Sequence, residues 1–149
     1  MNIFKSILNP ILTSILCFTL TVLQAYWAMG EYSTSISSAC IDCSFYIELI
    51  IVGLITIIPI FLIQTIFYKM KWSKFLSLIL ILLYLIIMWF KYINTNIFKT
   101  READWSTFSD HEIDVEVLSR STTPIIVCIS LYIVFYLAIS KFLSNQLKN

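Results

Sequence analysis

A chain of 149 residues with only 13% charged and 59% hydrophobic side chains cannot turn all of its surface to water, because soluble domains carry roughly 25% charged residues. Its length suits one domain, and a net charge of +1 conceals a sharp segregation of sign along the sequence. It contains no Gly-rich phosphate loop, no Ser-His-Asp set, no internal repeat and no basic aromatic patch, which removes the common nucleotide-, hydrolase- and nucleic-acid-type readings.

The first apolar run, Ile7 to Met29, is broken only by Ser, Thr, Asn, Gln and Pro10. About 20 helical residues cross a hydrocarbon core of about 30 Å, so the run is long enough to span. It exceeds the roughly 7–15 apolar residues of a secretory signal, and Tyr26 and Leu23 stand where a cleavage site before Ala28 or Ala25 needs small residues. Cys17 follows Leu16, which does not fit a lipoprotein signal. A retained transmembrane helix is expected here.

A polar loop over 30–44 follows, and it holds "SSACIDCSF" with Cys40 and Cys43 at Cys-x-x-Cys spacing. The second run, Phe45 to Tyr68, contains Pro59 and one charge, Glu48. If the helix starts near Ser44, Glu48 lies one turn in, at headgroup level, where a carboxylate complements the helix dipole. No other span residue is charged, which argues against a proton relay. A short basic loop carries Lys69, Lys71 and Lys74. The third run, Phe75 to Phe90 with an extension to Ile93, is near the minimum length and relies on Lys74 and Lys91 to snorkel.

The stretch 94–123 is expected to form the second outer loop. Within it Asp110, Glu112, Asp114 and Glu116 alternate with His111, Ile113, Val115 and Val117, a period-two pattern that predicts a short strand with one acidic face. Such a strand parts His111 from the acids and disfavours a metal site; no metal or other cofactor is expected. Ser109-x-x-Glu112 is also a capping box, so a helix start competes for residues 105–117. The fourth run is Pro124 to Leu143. Gln24, Thr56, Gln64 and Ser130 are the polar span residues able to bond neighbouring helices.

With four spans both termini share a side with Lys5, Lys69, Lys71, Lys74, Lys141 and Lys148, and no acid lies there. All 9 acids fall in or beside the other two loops, with Lys91, Lys99, Arg101 and Arg120. The positive-inside rule then places the termini in the cytoplasm of a bacterial inner membrane. Tyr26, Trp27, Tyr32, Trp72, Trp89 and Tyr92 mark the expected aromatic belts. Cys40 and Cys43 lie outside, where a disulfide is expected; a zinc site would need two more ligands, for which Asp42 and His111 are the nearest candidates.

A four-span protein with Cys-x-x-Cys in its first outer loop resembles the DsbB family, which passes electrons from a periplasmic thiol oxidase to quinone. That resemblance implies a redox role for Cys40 and Cys43. The chain departs from the family in two respects. Residues 91–123 contain no second cysteine pair, and "CSFYIEL" carries Glu48 where the family has an arginine. Cys17 and Cys128 sit in apolar runs as small buried hydrophobes. In length, spans, cytoplasmic termini and acidic outer loop the chain also resembles two groups of small bacterial membrane proteins. These are immunity proteins against pore-forming bacteriocins and membrane subunits of anti-phage systems such as the KwaA component of Kiwa.

The sequence therefore predicts an all-α membrane protein, a four-helix transmembrane bundle with a small extracytoplasmic cap that has room for a short strand. Its spans are placed at 7–29, 45–68, 75–93 and 124–143. The expected function is a non-enzymatic sensor or scaffold of a defence system, acting as a homo-oligomer in the bilayer. Toxin immunity and thiol–quinone exchange are the alternatives. A cytosolic acidic partner is expected on Lys69, Lys71 and Lys74, and a recognition surface on Asp110, Glu112, Asp114 and Glu116. With only 2 glycines, close GxxxG-type helix approach is not expected.

Overall fold

The computed structural model describes residues 3–69 and 74–145, with side chains over 8–67 and 75–142. Helix α1 (Ile3–Met29) leads through a 3-10 turn (Gly30–Thr34) into an irregular segment. Helix α2 covers Phe45–Lys69. Helix α3 (Lys74–Ile87) passes without a break through a π-helical stretch (Met88–Asn94) into α4 (Thr95–Arg101). A 3-10 turn (Ala103–Trp105) and a short linker precede α5 (Asp110–Asn145). Four helical segments are long and apolar enough to cross a membrane, and the chain is a multi-pass, all-α membrane protein.

Helix α1 is the hub, packing along α2 on one side and α5 on another. Its buried stripe of Cys17, Leu20, Thr21, Gln24, Ala25 and Ala28 follows the three-and-four spacing of one helix face. Helix α2 answers with Phe45, Leu49, Gly53, Thr56, Ile60 and Gln64. Gly53 leaves room for an α1 side chain: a Cβ there would stand 2.8 Å from the Phe18 ring. One glycine thus gives the Phe18 ring its seat against α2.

The π-helical stretch turns Trp89 and Ile93 into the core. A π turn leaves a carbonyl with an i+5 partner, and the Thr95 hydroxyl donates to the Phe90 carbonyl at 2.9 Å. Trp89 is fully buried within the bundle, and its indole N–H donates to Thr21 Oγ1 at 2.9 Å. Thr56 Oγ1 reaches the same Thr21 hydroxyl at 3.4 Å, so one small polar cluster ties α1, α2 and the π stretch together. Asn94 donates to Ser121 Oγ at 2.9 Å and sets the register of α5. Ser130 instead bonds the Ile126 carbonyl of its own helix. Tyr26, Trp27 and Tyr92 stay exposed, as a belt requires, whereas Tyr32 is buried. Trp72 lies outside the described residues.

The strand expected at Asp110–Val117 is not present; these residues are the first two turns of α5, and among the described residues no strand occurs. The capping box forms. Ser109 N–H and Oγ both bond Glu112 Oε2 at 2.8 Å, and the Glu112 N–H points back at Ser109 Oγ at 3.4 Å. Ile113, Val117, Ser121, Pro124, Cys128, Tyr132 and Tyr136 then form one buried stripe running from cap to membrane. A lone strand here would have no partner for its ladder, whereas the helix satisfies its own backbone. At 36 residues α5 is about 54 Å long, well beyond a core of about 30 Å.

Candidate functional site at the disulfide-bearing cap

The cap is built from 30–48 and from 95–120, so it sits where the two longer loops were expected. Cys40 and Cys43 form a disulfide with Cα atoms 5.3 Å apart, and the Cys43 N–H closes the turn on the Cys40 carbonyl at 3.1 Å. The side chains of Ala39, Ile41, Asp42 and Ser44 around it are exposed. Ser44 is the N-cap of α2: its Oγ accepts from the Ile47 N–H at 3.3 Å. That fixes Glu48 in the first turn of α2, the depth expected from the sequence.

Glu48 does more than complement a helix dipole. Arg101, the last residue of α4, is almost entirely buried, with 2% of its side chain exposed, and sends Nε and Nη2 to Glu48 Oε2 at 2.9 Å each. Its Nη1 donates to the Ser35 carbonyl, and Nη2 also reaches the Cys43 carbonyl at 3.3 Å. The guanidinium lies over the Phe45 ring, 5.2 Å from the centroid. One side chain thus holds α4, the 35–44 segment, the disulfide turn and the start of α2. A buried ion pair is weak evidence for net stability, but removing one partner strands the other charge at high cost. Arginine suits the task because its planar fork donates in several directions at once.

Further bonds stitch the same two segments. Ser38 N–H bonds the Thr100 carbonyl at 2.7 Å, Ser38 Oγ bonds Asp104, and the Trp105 indole N–H bonds the Ile36 carbonyl at 2.9 Å. On the flank Arg120 pairs with Glu31 and, at 2.6 Å, with Glu116, while lying over the Tyr32 ring. Tyr32 and Phe98, then Phe98 and Phe108, meet edge to face with centroids 5.3 and 5.5 Å apart. The surface of this cap nevertheless exposes Ile36, Ile41, Tyr46 and Trp105.

The four acids expected on one face do not share one. On the helix Asp110 and Asp114 are one i,i+4 pair, and Glu112 and Glu116 another. Asp110 pairs with Lys99 at 3.5 Å, Glu112 serves the capping box and Glu116 serves Arg120; Asp114 and His111 are exposed. Among the described residues no cluster of three or more His, Cys, Asp or Glu side chains could hold a metal ion. Cys17 and Cys128 are buried free thiols. Of the basic face, Lys5, Lys69 and Lys74 belong to helix ends whose side chains are not described, Lys71 and Lys148 lie outside the described residues, and Lys141 is exposed on α5.

The sequence reading missed the Arg101–Glu48 pair. The only signal for it was a lone acid in an apolar run of a chain with four bases in the adjoining loops; a sequence separation of 53 offered no local cue. Compared with protein-family models, curated proteins and solved structures, the chain gives no match.

Proposed function

We propose that this chain is a non-enzymatic sensor or scaffold of the bacterial inner membrane, serving a defence system, with the disulfide-bearing cap as its receiving element. The observation that carries the reading is the Arg101 knot. A fully engaged buried charge fixes both outer segments as one unit, while Ile36, Ile41, Tyr46 and Trp105 remain on its surface as an apolar contact patch. Hydrophobic cap residues on a locked frame suit recognition of another macromolecule at the envelope. Self-association within the bilayer and an acidic cytosolic partner on the Lys69–Lys74 side complete the proposal.

The test is protection of a sensitive bacterial host, with the chain expressed alongside its neighbouring genes, against phage and against pore-forming toxins. Protection against phage that disappears in Arg101→Ala or Trp105→Glu, at unchanged membrane levels, supports sensing. Protection against toxin alone supports the immunity reading. No protection in either challenge contradicts both.

Thiol–disulfide exchange keeps a place as the second reading, because a guanidinium lies against the disulfide turn through the Cys43 carbonyl although the sequence after the cysteines carries no base. Quinone reduction by the purified protein, lost when Cys40 and Cys43 are both replaced by Ser, would favour it over sensing.

A further inference from the structure

Helix α5 packs chiefly on α1 and barely meets α3, which leaves a groove of about 570 Å³ between them, open on one side. The volume falls in the range of roughly 300–1,000 Å³ typical of small-molecule sites. Ile86, Phe90, Ile125, Ile126 and Ile129 line it, with Lys91 as its one charged group. Its two hydroxyls are already committed: Thr122 donates to the Leu118 carbonyl at 2.6 Å and Ser130 to the Ile126 carbonyl at 2.8 Å.

Charge singles out Lys91. At the cap end Lys99 is paired with Asp110, Arg101 with Glu48, and Arg120 with Glu31 and Glu116. Among the described residues Lys91 alone of these four cations has no carboxylate. Depth matters too. On α5 the lining runs from Leu118 to Ser130, about 18 Å of helix, close to one leaflet of a core of about 30 Å. The Asn94–Ser121 bond sets the register, so Lys91 lies about one turn further from the cap than Asn94, and a lysine there has the reach to snorkel toward an interface at the cap end.

We propose that this groove holds one anionic phospholipid from the cap-side leaflet, with an acyl chain laid against α5 and the phosphate at Lys91. The site needs a net negative headgroup for the unpaired ammonium and a chain for the isoleucine wall; a zwitterionic lipid brings the chain and a phosphate, but its own quaternary ammonium offsets that phosphate's charge at Lys91. The test is native mass spectrometry of the full-length protein in mild detergent, offered phosphatidylglycerol and phosphatidylcholine at equal concentration. The wild type should retain phosphatidylglycerol preferentially. Lys91→Gln should lower that retention roughly fivefold, Lys91→Arg should preserve it, and phosphatidylcholine retention should fall by clearly less than phosphatidylglycerol retention in Lys91→Gln. Ile126→Trp, which fills the groove, should remove bound lipid of both kinds. Ile55→Trp, on the exposed face of α2, should leave retention as in the wild type. Three results would each overturn the proposal: equal retention of the two lipids by the wild type, retention unchanged in Lys91→Gln or Ile126→Trp, or a dimer that Ile126→Trp splits, which would give the groove to a second copy. The wild-type competition stands even if a variant does not fold.

Discussion

Arg101 carries more of the cap than any other side chain. Burying a guanidinium is costly, and here the cost is met by a carboxylate, two carbonyls and an aromatic face. Arg101→Ala should therefore destabilise the protein by roughly 3–5 kcal/mol, since it leaves Glu48 without its cation. Arg101→Met combined with Glu48→Leu should recover most of that loss. Thermal unfolding in detergent of Arg101→Ala and of the cycle formed by the wild type, Arg101→Met, Glu48→Leu and their combination measures both; additive losses in the double variant would show that the two residues do not act as a pair. The sequence made Glu48 conspicuous as the lone acid of an apolar run, and it set Glu48 in the first turn of α2. The partner was not legible, because a contact across 53 residues follows from how α4 comes back over α2 and not from any spacing.

Helix α5 illustrates two periodicities competing within one element. "DHEIDVEV" alternates well enough to suggest a strand, yet Ile113 and Val117 are also four apart, and Ser121, Pro124 and Cys128 continue that spacing into the membrane. The capping box at Ser109 and Glu112 was equally visible. What the eight-residue window lacked was its continuation: a helix already required from Pro124 onward extends back at little cost, while a strand would need a partner. The consequence is testable, because Val117 is fully buried and Val115 is 54% exposed. Val117→Asn should cost roughly 2–4 kcal/mol, through a lost apolar contact and a buried amide. Val115→Asn should stay within about 0.5 kcal/mol. In a strand the two would share a face and respond together, so equal losses in thermal unfolding would argue against the helix.

At the scale of the molecule, the membrane plan was legible because apolar runs of this length admit few alternatives in lipid. The packing within that plan was less so. Nothing in the composition marks α1 as the hub, and the close approach at Gly53 depends on which α1 residue faces it. Gly53→Ile should force Phe18 and Val22 aside and cost roughly 1–3 kcal/mol, read as a lower unfolding midpoint in detergent; a midpoint equal to the wild type would show that α1 and α2 are not so close. The cap matters most to the account, since the proposed function rests on two outer segments behaving as one locked unit. Amide hydrogen exchange of the protein in lipid nanodiscs tests this directly at Ser38, whose N–H bonds the Thr100 carbonyl across the two segments. Slow exchange at Ser38 in the wild type is predicted, rising at least about tenfold in Arg101→Gln while the transmembrane amides stay protected. Unprotected exchange at Ser38 in the wild type, or no change in the variant, would contradict a cap held by Arg101.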